Sequence, residues 1–296
     1  MPPLVSILSV NYNGLTLTCA LIDSLRAHLT LPFELIVVDN GSRENEAAVL
    51  RQKYPEITVL RSDRNLGFAG GNNLGLRVAR GEYVFLLNND TELEEDTLGF
   101  LCETLRTRPE VGAVCPKIRF FNPPRLIQFA GYTPLSQITL RNALIGFNSP
   151  DNGSFDTPHD TPYAHGAAMM VRRSILAQVG LMPECYFLYY EELDWSVRIT
   201  EKGYKIAYDP RCTVYHKESG TTGQQSPLRT FYITRNRLLF GWRNRHGVVR
   251  YLAVLYQIGV VIPKNILVTL LHGRRDLMRA TWRGVGAFFL LKNKTA

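Results

Sequence analysis

Over the first 115 residues, short apolar runs alternate with segments of helical spacing. Residues 4–10 are mostly apolar and stop at Asn11-Tyr12-Asn13-Gly14, a turn sequence. Residues 15–28 place apolar side chains at helical intervals. The run 33–38 (FELIVV) predicts a strand halted by Asp39-Asn40-Gly41-Ser42. A helix over 44–54, a strand over 57–60 and a helix over 69–79 follow. The run 83–87 (YVFLL) predicts a buried strand halted by Asn88-Asn89-Asp90, then a helix over 94–106 and a strand over 111–115. Continuous apolar strands alternating with helices predict an α/β architecture, a mostly parallel sheet flanked by helices. Ligands of such sheets gather at the carboxyl ends of the strands, and the polar stops fall there.

The pattern then weakens. Residues 116–165 are richer in Pro, Asn and Gly and predict a long irregular insertion, a mobile acceptor-side segment. Residues 167–180 return to strand then helix. A helix over 191–202 is closed by Gly203, and short strands are expected over 204–208 and 213–216. Residues 228–245 and 250–291 have helical spacing and are both basic and apolar. Neither an internal repeat nor a low-complexity tract is visible.

Composition narrows the class. The 296 residues are 45% hydrophobic and 20% charged, which excludes wholesale disorder and allows one large domain with an appendage. Five cysteines without CxxC spacing argue against a disulfide framework or a zinc site and fit a reducing cytosol. Met1-Pro2-Pro3-Leu4-Val5-Ser6-Ile7 has no basic n-region and no small-residue cleavage site and reads as a first strand, not a signal peptide. The net charge of +8 is uneven: residues 229–296 carry 13 Lys/Arg and one acid, Asp276, leaving 21 Lys/Arg and 25 Asp/Glu elsewhere. A basic, apolar end points to anionic lipid before nucleic acid.

Each polar stop has a chemical and a structural reading. Asp39 can accept from the N–H of a base, or cap the next helix. The run Arg64-Asn65-Leu66-Gly67 to Asn73 offers glycines for close approach to phosphate, or for packing a helix on the sheet. Asp90 stands where a carboxylate can hold a hard divalent cation, or cap a helix over an acidic start at 91–96. Glu191, Glu192 and Asp194 crowd one helical turn beside four aromatics. The helix dipole favours them there, and an apolar wall raises a carboxyl pKa toward that of a general base. Glu191 and Asp194 share a face, with Arg198 one turn on as a partner for Asp194, and Glu192 points away. His216 closes a strand and matters if it meets Asp90.

Taken in order, VSILSVNYNG, IVVDNGS, RNLGFAGGNN, YVFLLNND, HGAAMMVRRSIL, FLYYEELDWSVR and VYHKESGTT resemble family 2 glycosyltransferases, nearest the rhamnosyltransferase-like branch, over about residues 4–245. The resemblance implies a GT-A fold: a catalytic domain over 1–226, with a nucleotide-binding part (1–115) and an acceptor/catalytic part (116–226), and a helical membrane-associating or packing segment over 227–296. It implies nucleotide contacts from Val10, Asn11, Tyr12, Asn13, Asp39, Arg64, Asn65, Gly67, Asn72 and Asn89. Donor or acceptor sugar would meet His165, Gly166, Glu191 and Trp195. The family's acid triplet stands here as Asn88-Asn89-Asp90, so Asp90 with His216 would hold Mg2+ or Mn2+. The family's EDxD stands as Glu192-Leu193-Asp194, and the choice of base between those two acids stays open. Gly180-Leu181-Met182-Pro183-Glu184 stands where the family usually has GGFDE.

The function so implied is inverting, metal-dependent transfer of a sugar from a nucleoside diphosphate donor, with L-rhamnose from dTDP-rhamnose as the lead. The acceptor would be a hydroxyl of a glycan or lipid-linked saccharide in surface polysaccharide synthesis. Galactosyl, galactofuranosyl and N-acetylhexosaminyl transfer are alternatives. A nicotinamide oxidoreductase would want GxGxxG after the first strand, where Asn11-Tyr12-Asn13-Gly14 stands. A non-enzymatic membrane-surface or nucleic-acid module leaves the sheet-end carboxylates unexplained, and no nucleic-acid partner is expected. The apolar stretch 251–271 is interrupted by Gln257 and by Pro263-Lys264-Asn265, so helices lying on the inner face of the cell membrane are expected rather than a span. The alternative is a helical cap packed on the catalytic domain or on a second subunit of a homodimer.

Overall fold

Apolar runs become strands and polar stops become their ends. The structure is a computed structural model and describes residues 4–217 and 226–292; Glu218–Thr222 of the last quoted motif lie outside the described residues. In chain order the elements are β1 (Val5–Asn11), α1 (Leu15–His28), β2 (Phe33–Asp39), α2 (Glu46–Lys53), β3 (Thr58–Arg61), α3 (Gly67–Leu76), β4 (Tyr83–Leu87), β5 (Thr91–Glu92), α4 (Leu98–Thr107), β6 (Val111–Phe120), β7 (Ile127–Phe129), β8 (His159–Asp160), β9 (Ala168–Arg172), α5 (Leu176–Val179), α6 (Glu191–Glu201) and β10 (Lys205–His216). Four helices follow: α7 (Pro227–Asn244), α8 (Gly247–Tyr256), α9 (Ile262–Leu271) and α10 (Arg275–Leu291). The chain divides into two compact units. The first holds Met1–Thr133, Leu144–Glu184 and Trp195–Ser219; the second holds Pro134–Ala143, Cys185–Asp194 and Gly220–Ala296.

The first unit is built on one mixed sheet of order β3-β2-β1-β4-β9-β6-β10-β5, with β7 on β6 and β8 on β10. β1 is parallel to β2 and β4, and β9 runs against both β4 and β6, which restores β6 and β10 to the direction of β4. The carboxyl ends of β1, β2, β4 and β10 therefore share one edge. The order reverses at β1, whose neighbours β2 and β4 lead away on opposite sides, a topological switch point. Ile7, Leu8, Val37, Val38, Phe85 and Leu86 are wholly or almost wholly buried, as a sheet covered on both faces requires.

Several elements depart from the sequence pattern. The segment expected to be irregular from residue 116 first continues β6 to Phe120 and later returns as β7 and β8. Lys117 disguises this strand: its ammonium is buried against Asp151 (2.9 Å) and Asp156. The two strands expected over 204–208 and 213–216 are one strand, β10, with a register irregularity between Asp209 and Thr213. Asp209 is satisfied there by Thr104 (2.6 Å) and by the Arg211 backbone N–H (3.1 Å). The acidic stretch after Asp90 does not open a helix; Thr91 and Glu92 pair with β10, and α4 starts at Leu98.

In the second unit, α10 buries Leu277, Ala280, Thr281, Gly284, Val285 and Phe288, and α7 buries Leu238, Leu239 and Phe240. At Gly284 a Cβ would stand 2.8 Å from the Phe231 carbonyl oxygen, so the small residue sets how closely α10 meets α7. The expected single run over 250–291 is two: Gly273, at φ +69°, separates α9 from α10. Gln257 does not break the earlier helix. A π-helical turn, Gln257–Val261, joins α8 to α9, and the Gln257 amide donates to the Thr139 carbonyl (2.9 Å).

Candidate active site

The switch point places Asn11 of β1 opposite Asp39 of β2. Both are wholly buried. Asn11 donates to Glu46 (2.7 Å) and accepts from Thr18 (2.8 Å). Asp39 accepts the Ser42 N–H on one oxygen (3.2 Å) and the Ala47 N–H on the other (3.3 Å), which ties the strand end to the start of α2. Asn13, at φ +51°, bonds across the same turn to Ser42 (2.9 Å) and to the Arg43 N–H (2.9 Å), and Tyr12 beside it is exposed.

The glycine-rich run begins α3. Asn65 accepts from the Gly67 N–H (2.8 Å), and Asn40 donates to the Gly67 carbonyl (3.0 Å) and accepts from the Leu66 N–H (3.0 Å). A Cβ at Gly71 would fall 2.8 Å from Val10, and one at Gly75 would fall 1.9 Å from Leu8. These two glycines let α3 lie against β1. Asn72 returns to its own helix, donating to the Phe68 carbonyl (2.9 Å), and Arg64 is exposed at the loop.

Asp90 and His216 meet. β10 pairs with β5 so that His216 stands opposite Thr91, one residue past Asp90, and His216 Nε2 lies 3.1 Å from Asp90 Oδ1. Gln128 Oε1 lies 2.8 Å from His216 Nδ1. With Nδ1–H donating to Gln128, the Nε2 lone pair of a neutral ring faces a carboxylate, an arrangement that a shared proton or a cation completes. An oxygen and an imidazole nitrogen, the ring steered by a further hydrogen bond, fit Mn2+ better than Mg2+, which prefers oxygen ligands. Among the described residues no group of three His, Cys, Asp or Glu is placed to hold a metal. Two protein ligands leave the remaining positions to water and substrate phosphate, as magnesium-type sites require. Asn89 donates to Thr18 (3.0 Å) at the same edge.

His165 and Gly166, both half-buried, precede β9. The His165 ring stacks on Tyr132 and packs on Phe129, and its Nδ1 accepts the Ala167 N–H (3.1 Å). Burial, with His216 adding to it, lowers its pKa to about 3, so the ring is neutral. Trp195 is a core residue whose indole N–H donates to the Gly180 carbonyl (3.0 Å). Glu184 accepts from Asn73 (2.8 Å).

The acid cluster opens α6. The approach to it is strained: Phe187, Tyr189 and Tyr190 have φ of +66°, +69° and +79°. Left-handed geometry at a non-glycine residue costs roughly 1–3 kcal/mol and persists only where its surroundings impose it. Here α7 imposes it, through Asn236, whose amide nitrogen donates to the carbonyls of Tyr186 (3.0 Å), Leu188 (2.7 Å) and Tyr189 (2.8 Å). Asp194, almost wholly buried, accepts on one oxygen from Tyr186 (2.7 Å), Arg243 (3.1 Å) and Asn244 (3.0 Å). Glu191 is buried with Oε2 unpaired; desolvation, then the neighbouring Glu192, push its pKa far above the usual carboxyl range. Glu192 is half-buried, and desolvation raises its pKa to about 7, against N–H donors that lower it. A carboxyl so poised can take a proton near neutral pH.

Sequence reasoning missed Gln128, Arg235, Asn236, Arg243 and Asn244. A signal existed for the last four: Arg-Asn recurs eight residues apart, at 235–236 and 243–244, close to two turns of one helix.

The Glycosyl transferase family 2 profile matches residues 6–180. The low-salt glycan biosynthesis hexosyltransferase Agl10 of Haloferax volcanii is 27% identical over 225 residues, 74% of this chain and 70% of that one. The N-acetylglucosaminyl-diphospho-decaprenol L-rhamnosyltransferase of Mycobacterium tuberculosis is 26% identical over 217 residues, 65% of this chain and 69% of that one. Among solved structures, a mannosyltransferase from Pyrobaculum calidifontis, in complex with GDP-Man and Mn2+, superposes with a TM-score of 0.58 at 15% identity, covering 99% of this chain and 88% of that one. That likeness bears on the fold alone. The residues ending β1, β2 and β4 lie inside the matched segment, and the chain belongs to glycosyl transferase family 2, on a GT-A fold.

Proposed function

We propose that the protein is an inverting, divalent-metal-dependent glycosyltransferase that moves L-rhamnose from dTDP-rhamnose to a hydroxyl of a glycan or lipid-linked saccharide. The observation that carries the metal-dependent part is the Asp90–His216 pair, 3.1 Å apart at an edge the four carboxyl ends share. The rhamnosyl part is supported by the mycobacterial relative. A hexose donor is the second reading, supported by the Haloferax relative. Mn2+ or Mg2+ held by Asp90 and His216 would offset charge gathering on the leaving diphosphate. In this reading Glu192 takes the proton of the acceptor hydroxyl as its oxygen bonds to the anomeric carbon and the bond to diphosphate breaks. One displacement inverts the anomeric centre, and no covalent enzyme intermediate forms. Asp194, holding three donors, orients the base helix. Asp39 and the turn 10–13 serve the nucleotide, with Arg64, Asn65, Gly67, Asn72 and Asn89, and His165–Gly166 serve the sugar. The site works from the cytoplasm at an anionic membrane surface.

The test is a panel of nucleoside diphosphate sugars with Mn2+, Mg2+ or chelator, read by mass spectrometry for released nucleotide. dTDP-rhamnose should turn over fastest, and only with metal. In calorimetry Asp90→Ala should lose the metal-dependent part of donor binding; undiminished Mn2+-dependent affinity in that variant overturns the metal assignment. A hexose donor consumed faster overturns the rhamnosyl one.

A further inference from the structure

We infer that Arg235 and Asn236 of α7 form a clamp that sets the position and proton affinity of Glu192. They are positioning residues, and the inference rests on the reading of Glu192 as the base. Asn236 is wholly buried and Arg235 nearly so. The left-handed residues Phe187, Tyr189 and Tyr190 turn the backbone so that the carbonyls of Tyr186, Leu188 and Tyr189 converge. The Asn236 amide nitrogen lies within 3.0 Å of all three, so three acceptors share two hydrogens. Which end of the amide faces them is set by Arg235, whose Nε donates to Asn236 Oδ1 (2.8 Å). The same guanidinium donates through Nη2 to the Cys185 carbonyl (3.1 Å) and to that of Tyr186. One residue further, Arg237 Nε donates to the Tyr190 hydroxyl (2.7 Å).

A loop in this conformation is not held by its own preference. Phe and Tyr disfavour positive φ, and the converging carbonyls repel one another unless donors lie between them. The clamp supplies those donors. Tyr190 directly precedes Glu191 and Glu192, and its carbonyl accepts the Asp194 N–H (2.9 Å) as the first turn of α6 forms. A shift of this loop therefore moves the start of α6, and with it the half-buried carboxyl of Glu192. Burial holds the proton affinity of Glu192 up while the Tyr190 N–H, on this same loop, holds it down, so loosening the clamp disturbs both and moves that affinity.

The closing experiment compares Asn236→Asp, which keeps the shape and loses the donors, with the milder Arg235→Lys, which keeps the charge and loses the fork. Hydrogen exchange of 186–191 and the pH profile of kcat are read on folded protein. The expected result is faster exchange over 186–191 with α7 still protected. The kcat should fall about 10²-fold while donor KM changes by less than roughly twofold, and the pH of half-maximal kcat should be displaced from near 7. Arg235→Lys should show the same pattern more weakly. Unchanged exchange in folded variants overturns the clamp. Faster exchange with an unmoved pH midpoint overturns its role in placing the base. Full turnover in Glu192→Gln, measured alongside, would sink the base assignment and this inference with it, separately from either clamp result.

Discussion

Glu191 and Glu192 are adjacent carboxyls with different tasks. Glu191 has its pKa raised well above the usual carboxyl value by burial and then by Glu192, which favours its neutral form. Glutamine imitates a neutral acid, so Glu191→Gln should shift Tm by under about 2 °C and leave turnover near wild type, checked by calorimetry and donor assay. Glu192, at about 7, is half-ionised at pH 7. Its folded-state pKa lies above the ordinary 4.5, so the folded state binds the proton more tightly than the unfolded chain. Stability from this group is complete below pH 4.5, falls as pH rises toward 7 and is level above. Glu192→Gln removes that penalty. Its Tm should match wild type at pH 4.5 and exceed it at pH 7, the gap being worth up to about 3 kcal/mol. A base must be deprotonated, so wild-type kcat should rise with pH and reach half its plateau near 7. Glu192→Gln should lose ~10²-fold or more in turnover. If Asp194→Asn lost turnover in a folded protein while Glu192→Gln kept it, the roles would be exchanged. The crowding of three acids was visible in sequence because they are neighbours in the chain. Helix phase points to Asp194 as the acid that is tied down, but the partner it suggests is Arg198; the donors from Arg243 and Asn244, about fifty residues on, were not visible. The Asp90–His216 pair was legible only through resemblance, since β10 brings it together across 126 positions.

At the scale of elements, what was legible follows from period and burial. β1, β2 and β4 are predominantly apolar runs closed by Asn or Asp, and each lies within a residue of its expected ends. The elements that escaped carry polar residues in buried positions or take their partners from far away. Lys117 hides β6, Asp209 splits the reading of β10, and the two-residue strand β5 exists only because β10 runs beside it. Glycine is the other ambiguity, since the same residue can mark a turn, a phosphate loop or a close contact. Gly284 is a contact. Replacing it by alanine in mid-helix would gain about 1 kcal/mol of helix propensity. The new Cβ would stand 2.8 Å from the backbone oxygen of Phe231, with Thr234 and the Arg235 nitrogen behind it, so no side-chain rotation relieves the clash. Overpacking of this kind costs typically ~1–3 kcal/mol, and the clash wins. Gly284→Ala should lower Tm by several degrees in a thermal melt, whereas Gly286→Ala, whose Cβ meets nothing within 4 Å, should be neutral or stabilising. A stabilised Gly284→Ala would show that α10 does not bear on α7 there.

Over the whole molecule, charge and apolar surface are concentrated at the same end of the chain. Residues 229–296 hold 13 of the 34 Lys/Arg. Gly247–Leu271 is one helical run of 25 residues, long and apolar enough to cross a membrane, yet only 17% of its most apolar stretch is buried. Leu255, Leu267, Leu271 and Trp282 are each more than half exposed. A monomer in water rarely leaves such a surface bare. Lys264 and Asn265, exposed seven and six residues before the helix ends, favour lying over spanning, because a cation deep in hydrocarbon costs ~3 kcal/mol even on insertion scales. On an anionic surface each inserted leucine contributes ~1.5–3 kcal/mol and each nearby Lys or Arg about 1 kcal/mol. Deleting the tail is a poor test, since α10 would take its buried residues away from the unit it completes. Substituting exposed residues avoids that. Wild type should co-sediment with vesicles containing phosphatidylglycerol, less as salt rises, and poorly with neutral vesicles. Leu255→Glu combined with Leu267→Glu and Leu271→Glu should remain in the supernatant while keeping Tm and donor hydrolysis. Failure of wild type to bind anionic vesicles at low salt would sink the membrane reading, and a concentration-dependent dimer in sedimentation velocity, lost in the triple variant, would assign this surface to a second copy of the chain.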